Sequence, residues 1–148
     1  MDNSVDAKQL VEVMGDAVMV SDHNGLITFW NPAAERIFGF SAEDALGQSL
    51  DIIIPERLRE RHWEGYYRSM ASGETKYGND LLRVPALHKD GSTISIAFTV
   101  ALLRDESGAL SGIAAVVRDE TDRFQKEREM KKRVAELEKQ VAGHNGSA

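Results

Sequence analysis

Residues Pro55–Met70 read PERLRERHWEGYYRSM. Short predicted strands and helices precede this segment, and strands in which hydrophobic and polar residues alternate follow it. Residues four positions apart share one face of a helix, so four side chains of this segment form a stripe. The stripe consists of Leu58, His62, Tyr66 and Met70. Most of the charged residues lie off this stripe and can face water. The segment therefore predicts a long helix that presents one imidazole among apolar and aromatic side chains.

The chain before this helix predicts a pair of strands followed by two short helices. The strands are Ala17–Ser21 and Leu26–Trp30. Asn31 is a good N-cap for the first helix, because its side chain can accept a hydrogen bond from the first helical turn. Pro32 follows at a position where its missing N–H costs nothing, and Ser41 can cap the second helix.

The chain after the long helix predicts three strands, because its hydrophobic residues alternate with a period of two. The strands are Asp80–His88, Thr93–Leu103 and Leu110–Val117. Pro85 cannot donate a hydrogen bond to a neighbouring strand. We therefore expect the strand that contains Pro85 to lie at an edge of the sheet or to carry a bulge.

Three dipeptides between the predicted strands are typical of tight hairpin turns. They are Asn24-Gly25, Asp90-Gly91 and Ser107-Gly108. Asn and Gly both tolerate positive φ, so we expect a two-residue turn at Asn24-Gly25 in which both residues have positive φ. The other two dipeptides are expected to close hairpins as well.

The chain divides into four predicted regions. The first is an N-terminal amphipathic helix over residues 1–14, which Ser4 or Asp6 can cap and Gly15 can end. The others are a folded domain over residues 15–121, a charged helix over residues 122–142 and a disordered tail over residues 143–148.

The charged C-terminal helix carries apolar residues with the four-three-four spacing of a two-stranded coiled coil. They are Met130, Val134, Leu137 and Val141. About two heptads make an isolated helix marginal, and a solvated terminal helix is one interpretation. The start of a dimer stalk is the other, and it is favoured because the apolar seam is clean and its flanks are charged. A homodimer is therefore expected.

Composition excludes several classes of function. The chain has 148 residues, a net charge of -6 and no cysteine. The negative charge argues against nucleic acid as a partner, and the lack of cysteine excludes disulfides, thiolate metal sites and cysteine nucleophiles. No apolar run is long enough to span a bilayer and no signal-peptide pattern occurs, so we expect a cytoplasmic protein that does not enter the membrane. No phosphate-binding glycine loop and no nucleophile elbow occurs, so we expect that the protein is not an enzyme.

Three segments resemble those of a PAS domain. They are DHNGLITFWNPAAERIFGFSAEDALG at Asp22–Gly47, HKDGSTISI at His88–Ile96 and GIAAVVRDET at Gly112–Thr121. The resemblance covers roughly residues 12–125. It implies an α+β fold, in which helices pack on one face of a five-stranded antiparallel sheet whose third strand lies at an edge. It also implies a sensory module of a bacterial-type signal-transduction protein, with a fused or separate effector such as a kinase, a cyclase or a regulator.

Within this family, the long helix is similar to that of the oxygen-sensing haem PAS domains of FixL-type kinases. Arg59-Glu-Arg-His62 matches a context in which the histidine ligates haem iron, so the resemblance implies haem b with His62 as its metal ligand. That subgroup uses an arginine on the third strand to hydrogen-bond the gas. Ungapped spacing places Leu82 there and Arg83 beside it. Neighbouring residues of a strand point to opposite faces of the sheet, so if Leu82 faces the haem pocket, Arg83 should face away from it.

The pocket is expected between the long helix and the inner face of the sheet. The candidate cofactor-binding residues are His62, Tyr66, Leu82, Ile96, Phe98, Ile113 and Ala115. A ligand there would change the packing of the strands, and the last strand would pass that change on. Asp119 and Thr121 are the expected signal relay into the C-terminal helix.

Two alternatives to a haem sensor stay open. Many PAS domains without haem carry a similar helix, in which the histidine caps, packs or faces solvent, so another small ligand is one alternative. The second is a ligand-free PAS module for dimerisation or protein interaction, which predicts a filled core.

Overall fold

The computed structural model describes residues 4–76 and 78–146. Its helices are α1 (Ala7–Val13), α2 (Pro32–Phe38), α3 (Ala42–Ala45), α4 (Glu56–Ser72) and α5 (Thr121–Gly146). Its strands are β1 (Ala17–Ser21), β2 (Ile27–Trp30), β3 (Leu82–Leu87), β4 (Thr93–Arg104) and β5 (Leu110–Asp119). A short 3-10 helix, Leu50–Ile53, precedes α4.

These strands form one antiparallel sheet in the order β2-β1-β5-β4-β3. The predicted α+β class, with a five-stranded antiparallel sheet and a helix at each end of the chain, is confirmed. Strand β3 lies at an edge, as Pro85 requires, because a proline has no N–H to offer to a second neighbouring strand. In the register of the sheet, Pro85 lies opposite Ser95.

The hydrophobic core lies between the inner face of the sheet and the helices α2, α3 and α4. The strands contribute the buried side chains of Ala17, Met19, Ala86, Ile94, Ile96 and Val117. Phe38 at the end of α2 is 0% exposed, and the burial of such a ring contributes about 1.5–3 kcal/mol to stability. Trp30 packs against it with ring centroids 5.4 Å apart.

Asn31 joins three elements as well as capping α2. Its Oδ1 accepts hydrogen bonds from Ala34 N at 3.0 Å and from Val18 N at 2.9 Å. Its Nδ2 donates to the carbonyl oxygens of Val11 and Asp16 at 2.9 and 3.1 Å. The side chain is 1% exposed, and all of its polar capacity is therefore used to hold α1, β1 and α2 together.

The expected two-residue turn at Asn24-Gly25 is wrong in its geometry. Asp22 N donates to Leu26 O at 3.0 Å, which closes a three-residue loop, and among the described residues only glycines have positive φ. The Asp22 carboxylate accepts from Asn24 N and Leu26 N at 2.9 and 3.0 Å. These bonds favour a type I turn followed by a left-handed Gly25 over a turn with two positive φ angles.

The other two hairpins repeat this three-residue loop. His88 N donates to Ser92 O at 2.9 Å, and Asp105 N donates to Ala109 O at 2.9 Å. Gly91 and Gly108 occupy the left-handed position, with φ of 89° and 86°. The sequence thus locates all three hairpins, and the glycine alone supplies the positive φ in each.

The terminal helices differ in their bounds from the prediction. Helix α1 begins at Ala7, and Asp6 caps it by accepting from Gln9 N at 3.2 Å, so Ser4 is not the cap. Helix α5 runs from Thr121 to Gly146, past the predicted end at residue 142, whereas residues 147–148 of the predicted tail lie outside the described residues. Every helix within the described part of the chain is too short or too polar to cross a lipid bilayer.

Candidate functional site

Helix α4 is attached to the rest of the domain both by polar contacts and by packing of Tyr66, Trp63 and Met70 on the core. Tyr66 is its one fully buried residue within the described chain. At its C-terminal end, Gly73 adopts φ of 72° and its carbonyl oxygen accepts a hydrogen bond from Arg104 Nη2 at 3.0 Å. The helix therefore lies over the sheet between β1, which Tyr66 contacts, and the end of β4, which carries Arg104.

Tyr66 fixes the middle of α4 to strand β1. Its hydroxyl donates to the carbonyl oxygen of Asp22 and lies 2.8 Å from Ser21 Oγ. Burial raises the pKa of Tyr66 above its ordinary value, and the hydrogen bond from Ser21 partly opposes that rise. The phenol is therefore neutral near pH 7, as a donor to a carbonyl oxygen must be.

Trp63 fixes the preceding turn of α4 to the β1–β2 hairpin. Its Nε1 donates to Asp51 Oδ1 at 2.7 Å. Its ring lies so close to Gly25 that a Cβ added there would be 2.1 Å from Cη2 of the ring. Ser21, Asp22, Gly25 and Asp51 thus hold the helix along one side, and we call these four residues the clasp.

His62 lies between these anchors with an unused nitrogen. Its ring is 4.6 Å from the ring of Trp63 and 5.8 Å from that of Tyr66, measured between centroids. Its Nδ1 is buried and has no hydrogen-bond partner among the described residues. Burial lowers the pKa of His62, and the nearby Asp51 carboxylate opposes this only in part. The imidazole is therefore neutral near pH 7, which is the form that ligates a metal.

The predicted lining residues that belong to strands all lie on the inner face of the sheet. Leu82 pairs with Phe98, Phe98 pairs with Val117, and the strand alternation places Ile113 and Ala115 on the same side as Val117. Ile96 is buried, whereas Leu82, Phe98, Ile113 and Ala115 are only half-buried. We call these four half-buried residues the open strip.

The open strip begins next to the clasp. Ser21 Oγ, which bonds Tyr66, also lies 3.5 Å from the carbonyl oxygen of Ile113. The partly buried side chains of Trp63 and Met70 pack on the same core as three residues of the strip, Phe98, Ile113 and Ala115. A half-buried apolar surface on the inner face of a sheet is the kind of surface that small apolar molecules bind in proteins.

Arg83 lies on the opposite face of β3 from Leu82. It pairs in the sheet with Ala97, and its Nε donates to Glu120 Oε2 at 3.2 Å. The alternation of a strand and this ion pair together direct the guanidinium away from the cleft. The expectation that Arg83 faces outward agrees with this geometry.

Asp119 and Thr121 connect the last strand, β4 and α5. Asp119 Oδ1 accepts hydrogen bonds from Thr121 N at 2.9 Å and from Thr121 Oγ1 at 2.5 Å. Thr121 Oγ1 in turn accepts from Ser95 N at 3.1 Å. The two residues predicted as a relay are therefore in contact with each other and with the first residues of β4.

Sequence reasoning missed most of the clasp. From the sequence, Ser21 is only the last residue of a predicted strand, and Asp51 has no assigned role. One signal was present for Ser21, which is a polar residue at the inward phase of β1 after Ala17 and Met19. No local pattern identifies Asp51 as the acceptor for Trp63, because the two residues meet only in the folded chain.

A family model described as PAS fold matches residues 6–119. The chain belongs to the PAS family. This match covers most of the folded domain and confirms the resemblance inferred from the sequence.

Proteins similar to this PAS domain include sensors. An uncharacterized protein of Azorhizobium caulinodans is 35% identical over 126 residues, which are 84% of this chain and 17% of that protein. The sensor protein FixL of Bradyrhizobium diazoefficiens is 28% identical over 88% of this chain and 25% of FixL. The oxygen sensor protein DosP of Escherichia coli is 30% identical over 80% of this chain and 15% of DosP. The chain thus spans at most a quarter of the length of these relatives.

Solved structures agree with the fold. The PAS domain of a protein from Colwellia psychrerythraea has a TM-score of 0.69 at 24% identity, covering 78% of this chain and 95% of that one. At this identity the likeness concerns the fold alone. With the similarity to FixL and DosP, it places the chain among the sensory PAS domains of signalling proteins.

Proposed function

We propose that this PAS domain binds a small, largely apolar ligand or cofactor in the cleft between α4 and the open strip. One observation carries the proposal: Nδ1 of His62 is buried and has no hydrogen-bond partner among the described residues, and it lies on the helix that the clasp holds on the side of β1. A buried polar atom without a partner costs free energy, so its presence favours a role in which a ligand or metal uses the imidazole.

Haem b is the specific candidate, because the donor chemistry of the site fits it. A neutral imidazole is an ordinary axial ligand of haem iron, and the apolar side chains of Leu82, Phe98 and Ile113 can flank a porphyrin. His62 would hold the iron, which when bound supplies a coordination position for a small gas or a redox couple. Arg83 is engaged with Glu120, so this chain offers no arginine from β3 to hydrogen-bond a gas in the cleft.

The signal is proposed to leave through β5 and α5. A ligand shifts the domain between two states only to the extent that it binds them unequally, and such coupling is typically about 1–3 kcal/mol. Asp119 and Thr121 connect the sheet to the first turn of α5, so they are the proposed relay. The effector that α5 would control is proposed to be a kinase, a cyclase or a regulator, fused or separate.

A homodimer through α5 is part of the proposal. Met130, Val134, Leu137 and Val141 are 63%, 45%, 52% and 60% exposed in the single chain. A second α5 would cover this seam by coiled-coil packing. Light scattering of the chain before and after truncation at Asp122 tests this: a halved mass supports the paired helices, and an unchanged mass removes them.

Titration with haemin, followed by absorbance, tests the cofactor. The parent protein should give a saturable Soret band with about one equivalent of haemin. His62→Ala should lose or shift that band, whereas His23→Ala, in an exposed hairpin turn, should retain it. A parent that binds no haemin, or a His62→Ala protein that binds it identically, contradicts haem ligation by His62.

A ligand-free dimerisation module is the second candidate function. The observation that favours it is the clasp itself, because Tyr66 and Trp63 already fill the space next to β1 and the β1–β2 hairpin. This function predicts a dimer whose melting temperature no small molecule raises. Thermal melting with haemin, flavin and apolar small molecules, each compared with buffer, separates it from the ligand-binding proposal.

A further inference from the structure

The edge strand β3 and the start of α5 are joined by an ion pair although they are not adjacent in the sheet. Strand β4 lies between β3 and β5 in the strand order. Arg83 of β3 nevertheless reaches across the outer face to Glu120, with Nε 3.2 Å from Oε2. Glu120 is the residue between the end of β5 and the first residue of α5. This contact therefore joins an edge of the domain directly to its output helix.

Glu120 is placed to pass a displacement into α5. Its backbone N donates to Ser95 O at 2.8 Å, and its carbonyl oxygen accepts from Phe124 N at 2.8 Å in the first turn of the helix. Its carboxylate also lies 3.4 Å from Arg123 Nη1, and Arg123 pairs in turn with Glu127 at 3.2 Å. One residue thus links Arg83, β4 and the first two turns of α5.

The ion pair is shielded more than an ordinary surface pair. The side chain of Glu120 is 15% exposed, whereas that of Arg83 is 57% exposed. Screening by water and salt weakens exposed pairs most, so a carboxylate with this degree of burial keeps more of its interaction with the two arginines.

Arg83 is also coupled to the cleft through its own strand. Leu82, its neighbour, belongs to the open strip on the inner face, whereas Arg83 is on the outer face. Strand β3 has a hydrogen-bonded neighbour on one side only, and edge strands of this kind are displaced at a lower free-energy cost than central strands. A displacement of Leu82 by an occupant of the cleft therefore moves Arg83 with it.

We infer that Arg83 is a positioning residue that couples the cleft to α5 through Glu120, as a second route beside Asp119 and Thr121. The use of this route in sensing rests on the proposed function. The coupling itself is a property of the protein without ligand, so it can be tested even if haemin does not bind.

Hydrogen exchange of the Phe124 amide measures this coupling in the full chain. Arg83→Gln removes the charge and should raise the Phe124 exchange rate about threefold, in the range of a single partly exposed ion pair. Arg83→Lys should recover part of the protection. Lys89→Gln, which removes an exposed ion pair to Asp44 just after β3, should leave Phe124 unchanged.

A double-mutant cycle separates coupling from a local effect. Leu82→Ala should change the Phe124 rate in the parent and should change it by less than half as much in the Arg83→Gln background. Leu82→Val provides the same test with a smaller deletion if Leu82→Ala does not fold. The inference is overturned if Arg83→Gln leaves Phe124 unchanged, or if the Leu82 substitution has equal effects in both backgrounds.

Discussion

The two sides of α4 differ in how they are held. On the side of β1 and the β1–β2 hairpin, the clasp residues make short hydrogen bonds and a ring contact with Tyr66 and Trp63. On the side of β3, β4 and β5, the inner face of the sheet carries the half-buried apolar side chains of the open strip. Directional bonds fix a helix in place, whereas a half-covered apolar surface gains stability from any apolar occupant. The helix is thus held along one edge by the clasp, whereas on the side of β4 the bond from Arg104 Nη2 to Gly73 O holds only its C-terminal end.

His62 Nδ1 has no hydrogen-bond partner among the described residues. His62 lies on α4 between the two sides, close to the rings of Trp63 and Tyr66. The Tyr66 hydroxyl and Trp63 Nε1 form hydrogen bonds with clasp residues, whereas no clasp residue bonds to His62 Nδ1. In the proposed function, the clasp positions the His62 donor and the ligand binds on the other side of α4.

Gly25→Ala should cause the largest loss in the free energy of unfolding, because it disrupts the clasp in two ways. The φ of 75° disfavours any side chain, and the new Cβ would overlap the Trp63 ring. We expect a loss of about 2–4 kcal/mol in the free energy of unfolding, measured by urea denaturation. Gly108→Ala is the matched control: its φ is 86° with open space around it, so the loss should be about 1 kcal/mol. Equal losses in the two variants would show that Trp63 does not pack on Gly25.

Truncation of isoleucines on the inner face compares a buried position with the open strip. Ile96 is 6% exposed, so Ile96→Ala should cost about 3 kcal/mol, whereas Ile113→Ala should cost about half as much because Ile113 is half-buried. Urea denaturation of both variants measures the difference. If both variants lose the same free energy of unfolding, Ile113 is as tightly packed as Ile96 and the strip is not half-buried.

Tyr66→Phe should remove the hydrogen bonds of the clasp and keep the ring. Ser21 Oγ and the Asp22 carbonyl oxygen would each lose the bond to the Tyr66 hydroxyl, although Asp22 O still accepts from Gly25 N, so we expect a loss of about 1–2 kcal/mol in the free energy of unfolding. Tyr67→Phe removes a hydroxyl from a 51% exposed residue of the same helix and should change stability by less than about 0.5 kcal/mol. A comparable loss in both variants would exclude a special role for the Tyr66 hydroxyl.

The pH dependence of stability should show a small contribution from His62. Its folded pKa is lower than the ordinary value of 6.5, so the unfolded chain binds more protons in the window between the folded pKa and 6.5. Stability from this group is therefore complete above pH 6.5 and is lost as the pH falls through that window. Urea denaturation between about pH 5 and pH 8 should give a shallower slope in His62→Gln than in the parent, whereas equal slopes would place His62 in water.

Local patterns in the sequence predicted the elements and their edges. Pro85 indicated that β3 lies at an edge or carries a bulge, and Asn31-Pro32 located the start of α2. Three glycines located the hairpins, although the loops have three residues because side chains such as Asp22 stabilise a type I turn. These features depend on neighbours in the chain, so a single sequence contains the information they require.

The contacts that form the site could not be predicted in the same way. The bond between Tyr66 and Ser21 joins residues 45 positions apart, and that between Arg83 and Glu120 joins residues 37 positions apart. Which polar group meets which depends on how α4 and β3 pack in the folded domain. For the same reason, the sequence proposed Tyr66 as part of the pocket lining, whereas its hydroxyl is committed to the clasp.

Methyl NMR of the full chain during titration with haemin tests most directly whether α4 and the open strip form a ligand cleft. The paramagnetic iron broadens nearby methyl resonances. If haemin binds between α4 and the open strip, the methyl resonances of Leu82 and Ile113 should broaden first, whereas those of the exposed Leu46 and Val5 should keep their line widths. Uniform broadening, or none at Leu82 and Ile113 while surface methyls respond, would contradict a ligand cleft beneath this helix.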